Sequence, residues 1–158
     1  MKRSGALVLA AAATIAAAAA HADGPGAYSW VDKPASATAA PQLSAIDAYN
    51  AGYSEIRRAD ELSSGDAPRK KEAEAAYRAA LKHFSLAVKH DPLMHEAFTY
   101  IGYANRKLGR YREAMDAYET ALRINPDYPH AIEYQGQAYL GLNRIEEAKF
   151  NYLRLYAI

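Results

Sequence analysis

Chemistry in a protein begins with side chains that can hold a metal, attack an electrophile or carry a proton, and this chain offers few. Four of its five histidines, His83, His90, His95 and His130, lie beyond the N-terminal apolar run. His83 and His90 are seven residues apart, on one face of a helix, and His90-Asp91-x3-His95 crosses a loop. Imidazole and carboxylate so placed suit zinc or copper, but not at a recognised ligand spacing. Ser63, Ser64 and Ser85 have no G-x-S-x-G context, and no Gly-rich phosphate loop occurs. The absence of Cys removes disulfides, thiolate nucleophiles, C-x-x-C-H haem attachment and zinc ribbons together. The expectation is a non-catalytic protein with no metal and no cofactor, stabilised by packing alone.

The elements that position the remaining side chains start after a leader. Lys2 and Arg3 precede an uncharged Ala-rich run, Ala6 to Ala20, followed by Ala20-His21-Ala22. This is the order of a secretory signal peptide, and cleavage is expected after Ala22. The run falls short of the roughly 20 apolar residues that span a bilayer. The compact signal looks bacterial, so the mature chain is expected in the periplasm or secreted. Removing 22 of the 158 residues leaves 136, with 17 Lys and Arg against 18 Asp and Glu. Nothing in that balance provides the basic patch that nucleic acid requires. Residues 23–43, with Gly24, Pro25, Gly26, Pro34 and Pro41 among Ala, Ser and Thr, have too little apolar area to offset ordering entropy and are expected to be a flexible linker. Trp30 is its one candidate anchor.

From about residue 44 apolar residues recur three and four apart, and turn residues set the boundaries. The breaks are Ser63 to Pro68, His90-Asp91-Pro92, Leu108-Gly109-Arg110, Asn125 to Pro129 and Leu142-Asn143-Arg144. They predict six helices, at about 44–62, 69–90, 93–107, 111–124, 129–141 and 144–157. Across these helices like residues return at an offset of 34: Tyr100 as Tyr134, Gly102 as Gly136, Ala80 as Ala114 and Ala148, and Tyr118 as Tyr152. A period of this size signals a stacked array of helix pairs. Small residues belong where two helices cross closely, and large ones where the gap between pairs must be filled. Gly52, Gly102, Gly136, Ala80, Ala114 and Ala148 are therefore expected at crossings. Tyr77, Phe84, Phe98, Tyr111, Tyr118, Ile132 and Tyr152 are expected as filler in the repeat core.

Residues His95 to Tyr128, with Phe98, Ile101, Gly102 and Asn105 followed by Ala114, Tyr118, Ala121 and Pro126, resemble the tetratricopeptide repeat. The following unit, 129–158, stops before its closing Pro, and the preceding one, about 45–92, carries 16 extra residues between Gly52 and Ala80 compared with Gly102 to Ala114. The resemblance implies an all-α, right-handed superhelix of three helix-turn-helix pairs whose first helices line a concave face. Projected onto this sequence, the inward stripe is Tyr49, Tyr53 and Ile56, then Glu96, Thr99, Tyr103 and Arg106, then His130, Glu133, Gln137 and Leu140. Such a groove suits an extended peptide or a partner helix. The Lys and Asn with which chaperone-binding members grip a C-terminal carboxylate are replaced by Tyr49, Tyr53, Thr99 and Tyr103, so that mode is not expected.

Repeat arrays normally finish on a helix with a polar outer face. The last expected helix instead carries Leu153, Leu155, Tyr156 and Ile158. The functional expectation is a binding scaffold for a protein or peptide, with self-association through that helix and assembly into an envelope complex as the alternative, and a metal-handling periplasmic protein as a distant third.

Overall fold

The computed structural model describes residues 44–64 and 67–158. The expected leader, cleavage site and linker, including Trp30, lie outside the described residues. Six helices occur among those described: α1 (Ala45–Ser63), α2 (Lys70–His90), α3 (His95–Lys107), α4 (Tyr111–Ile124), α5 (Pro129–Gly141) and α6 (Ile145–Ala157). Each falls within two residues of its sequence-predicted bounds.

Local chemistry accounts for where the helices start and stop. Ser44 opens α1 with a capping box: its Oγ accepts from the Asp47 amide at 3.1 Å, while the Asp47 carboxylate accepts from the Ser44 amide at 3.3 Å. After α2, Asp91 Oδ1 accepts from the Leu93 amide at 3.0 Å and closes the turn over Pro92. The three-residue turns after α3 and α5 need a left-handed residue, supplied by Gly109 (φ 74°) and Asn143 (φ 59°). Pro129 occupies the first turn of α5, where its missing N–H costs nothing.

Helices pack as antiparallel pairs, α1 on α2, α3 on α4 and α5 on α6, and successive pairs join through α2 on α3 and α4 on α5. The first helices also meet one another, α1 with α3 and α3 with α5, whereas α2, α4 and α6 do not touch among themselves. Helices that converge on one side and splay on the other curve the array, with its concave face on α1, α3 and α5.

The crossings are locked by glycine against an aromatic ring. A methyl at Gly52 would come within 2.8 Å of the Phe84 ring, and one at Gly102 would overlap Tyr118. Phe84 and Tyr118 are fully buried. The third lock is open. A methyl at Gly136 would sit 3.5 Å from Asn151 and 3.8 Å from Tyr152, which is ordinary contact, and Tyr152 is 37% exposed rather than in the core as expected. No further pair among the described residues covers Tyr152, and the seam beneath it is filled instead by a polar contact: Asn151 Nδ2 donates to Gln135 Oε1 at 2.8 Å and to the Ile132 carbonyl at 3.2 Å. Phe98 and Tyr111 are also only half-buried. Tyr111 packs instead on Gly141 at the end of α5, where a methyl would meet its ring at 2.7 Å.

The 16 additional residues of the first unit are mostly helix. α1 is six residues longer than α3, α2 is seven longer than α4, and the connection 64–69 is three longer than 108–110. The first pair therefore extends nearly two turns beyond the others. Ala59, Leu62, Ala73 and Ala76 are buried in this overhang, which gives it a core of its own.

Candidate functional site

Aromatic residues spaced along the first helices form a continuous seam across the concave face. On α1, Tyr49 stacks beside Tyr53 with ring centres 6.4 Å apart, and Tyr100 of α3 meets Tyr53 edge-on at 5.2 Å and Tyr49 at 6.0 Å. Phe84 stacks under Tyr100 at 5.6 Å, joining the seam to the core lock at Gly52. Tyr100 then leads to Tyr103 at 6.3 Å, Tyr103 to Tyr134 of α5 at 5.0 Å, Tyr134 to His130 at 6.1 Å, and His130 to Tyr128 at 5.5 Å. Edge-to-face and offset contacts at these distances favour such an arrangement beyond the area buried. Tyr53 and His130 are exposed, and the other rings of the seam are half-buried.

Burial pushes the Tyr49 phenol up to about 12, and the phenols of Tyr100, Tyr103, Tyr128 and Tyr134 are raised for the same first reason. All stay neutral at physiological pH. They can donate or accept hydrogen bonds, and their rings offer apolar area.

The middle of the seam is fixed at Tyr103 by Asp60 in the α1 overhang. Its carboxylate accepts from the Tyr103 hydroxyl at 2.9 Å and from the Tyr77 hydroxyl, and Lys107 Nζ lies 3.8 Å away. Lys107 also stands over the Tyr77 and Tyr103 rings. At the centre, the Arg106 guanidinium sits 5.2 Å above the Tyr103 ring. On α5, Gln137 donates to Glu133 at 3.0 Å.

Of the expected groove residues, Tyr49, Tyr53, Glu96, Tyr103, Arg106, His130, Glu133 and Gln137 are exposed or half-buried on these helices. Ile56 and Thr99 do not line the groove. Ile56 is 3% exposed because it shares the Ala48, Gly52, Ala59 and Leu62 face that packs against α2. Thr99 is fully buried and turns its hydroxyl back to the His95 carbonyl at 2.9 Å, which satisfies it inside the seam between helices. Tyr100, Tyr134, Tyr128 and Asp60 belong to the site and were not expected there. The offset of 34 that pairs Tyr100 with Tyr134 was a usable signal for both.

The histidines do not converge. His95 is engaged by Glu96 at 3.3 Å, by Asn125 at 3.1 Å and by the Tyr128 ring at 4.6 Å. Among the described residues no cluster of three or more His, Asp or Glu side chains could hold a metal.

Comparison with known proteins gives the array its class. Residues 95–128 match the family described as tetratricopeptide repeat. No curated protein sequence matches the chain. Among solved structures, the crystal structure of MamA superposes with a TM-score of 0.58 at 22% identity, covering 73% of this chain and 58% of MamA. The second tetratricopeptide domain of Spaghetti (RPAP3), solved with the HSP90 peptide SRMEEVD, gives 0.52 at 19% identity over 69% of this chain and 93% of that one. The first such domain of the same protein, with the same peptide, gives 0.51 at 20% identity over 68% and 78%. This chain thus spans little more than half the length of the MamA structures it matches. Residues 95–128 thus match the tetratricopeptide repeat, and the described helix pairs around them share the all-helical solenoid fold of these structures.

Proposed function

We propose that the chain is a non-catalytic interaction module that takes an extended peptide or a helix of a partner protein along the face of α1, α3 and α5. The observation that carries this reading is the unbroken aromatic seam from Tyr53 to Tyr128. Tyrosine joins contact area to a hydrogen-bonding tip and has few rotors to immobilise, which suits recognition of varied main chain and side chains. Two solved neighbours of the same fold hold a peptide, which supports peptides as the partner class. The Lys and Asn grip that the family resemblance implies for chaperone-binding members is not available at these positions, because Thr99 is buried and Tyr103 is committed to Asp60. The test is selection from a displayed library of extended peptides, followed by affinity measurement. Tyr53→Ala and Tyr134→Ala should each weaken a selected peptide by about tenfold or more, as for aromatic anchors at interfaces. Unchanged affinity in the double variant would overturn the reading.

A second reading, self-association or assembly in the cell envelope, rests on α6. Its outward residues Phe150 and Leu153, 63% and 68% exposed, stand where the preceding repeat has Asp116 and Glu119. Tyr156 and Ile158 extend the apolar patch, while Leu155 is half-buried and contributes less. Light scattering should detect a dimer that Phe150→Glu with Leu153→Glu dissolves; a strict monomer at high micromolar concentration would exclude it. Export, to the periplasm or out of the cell, remains part of the proposal, and Asp23 as the mature N-terminus by mass spectrometry is its test.

A further inference from the structure

A hollow of about 260 Å³ opens beside the Tyr49 end of the seam, where α1 and α3 begin, and is lined by Ile46, Tyr49, Met94 and Glu96. Ile46 is 65% exposed, and Tyr49 and Met94 are half-buried, so most of the lining is apolar or aromatic. Glu96 is its single acid, with 41% of the side chain exposed. Burial first, and then neighbours that include Glu96, raise the Tyr49 and Tyr128 phenols, which places this carboxylate near both rings. Its ion-pair partner among the described residues is His95 at 3.3 Å, an imidazole charged only when protonated. The permanent cations of α3, Arg106 and Lys107, stand in its last turn, whereas Glu96 is in the first. From Glu96 to Arg106 is about 15 Å along the axis at 1.5 Å per residue. That exceeds the screening length of about 10 Å at 0.1 M salt, so these cations do little to neutralise Glu96. Asp47 at the start of α1 and Glu133 in the first half of α5 add charge of the same sign.

We infer that this hollow takes a lysine or arginine side chain of the segment that occupies the groove; the inference rests on the groove reading above. Such a side chain joins an apolar stem to a charged head, which is the chemistry the lining presents in the same order. The stem lies along Ile46 and Met94, and the head reaches Glu96 beside the Tyr49 and Tyr128 rings, where ion pairing and cation–π attraction act together. A purely apolar side chain fills the same space but leaves the Glu96 charge unmatched. An acidic one is repelled.

The test uses the full chain and fluorescein-labelled, C-terminally amidated nine-residue peptide pools, read by fluorescence polarisation. The central residue is Lys, Arg, Met or Glu, and the flanking positions are the same uncharged mixtures throughout. The Lys or Arg pool should bind about fivefold or more tighter than the Met pool, which supplies a stem without a charge, and the Glu pool should bind most weakly. Glu96→Gln should bring the basic pools level with the Met pool. Glu113→Gln, which removes an exposed acid from the first turn of α4, should leave the preference intact. Circular dichroism confirms that each variant is folded. Should Glu96→Gln fail to fold, the parent chain decides: raising NaCl from about 0.05 to about 0.5 M should shrink the Lys-over-Met ratio, and a ratio indifferent to salt refutes the site. If the Met pool binds as well as both basic pools while Tyr53→Ala weakens all of them, the cation site is wrong and the groove stands. A preference that survives Glu96→Gln also refutes it. If no pool binds, or Tyr53→Ala changes nothing, site and groove fall together.

Discussion

Gly102 and Gly136 occupy equivalent places in successive repeats, yet the side chains opposite them make opposite demands. At Gly102 any Cβ would overlap Tyr118, a fully buried ring with no room to withdraw. Gly102→Ala should lower stability by about 1–3 kcal/mol, the usual cost of overpacking, even though alanine favours helix. At Gly136 the same methyl enters ordinary contact, so Gly136→Ala should raise stability by up to about 1 kcal/mol through helix propensity alone. Urea denaturation of the two variants decides it; destabilisation of both would mean that the third crossing is as tight as the second. The repeat pattern gives both glycines the same role, because it records residue type and not how far the opposing ring has moved. The same limit explains Ile56 and Thr99. A helical stripe tells which residues share a face, but α1 and α3 are each packed from more than one direction, and which stripe is left open depends on crossing geometry. Tyr49, Tyr53, Tyr103 and His130 fall where the stripe placed them only in that the helix pairs leave them exposed or half-buried, with Tyr49 and Tyr103 also packed on the core.

At the scale of elements, sequence punctuation is nearly sufficient. Gly109 and Asn143 supply the left-handed residues of their turns, Pro92 and Pro129 mark two more, and together with the Ser63 to Pro68 break these positions separate the six helices described. The 16-residue excess of the first unit was legible as a length but not as a shape, since a loop and a pair of longer helices cost the same number of residues. As helix, the overhang brings Asp60 within reach of α3. Asp60→Ala should leave the Tyr77 and Tyr103 hydroxyls without their shared acceptor and cost about 1–3 kcal/mol, toward the lower figure because the carboxylate is partly solvated. It should also free Tyr103 and weaken groove ligands. Urea denaturation together with peptide affinity reads both effects, and a variant as stable as the parent would show that water replaces the carboxylate without loss.

Across the described helices, stability draws on many buried and half-buried phenols contributed by every helix pair. Tyr49 is raised to about 12, and Tyr77, Tyr100, Tyr103, Tyr118, Tyr128 and Tyr134 are raised as well, with burial as the leading cause in each. An unfolded tyrosine ionises near 10. A phenol raised in the folded state therefore contributes stability that is complete below that value and is lost as pH climbs towards the folded one, because only the unfolded chain can release the proton in between. The seam places many such groups in contact, so their losses should coincide. The urea midpoint is expected to show no tyrosine-driven change up to about pH 9 and then to fall steeply between roughly pH 10 and 12, with phenolate absorbance appearing together with loss of helix. Tyr100→Phe, which removes a hydroxyl the structure leaves without a hydrogen-bonding side chain, should flatten the fall without disturbing the neutral-pH fold. If phenolate instead appears near pH 10 while the helical signal and the midpoint hold, the seam is open to water, and the aromatic groove would have to be redrawn as a solvated surface.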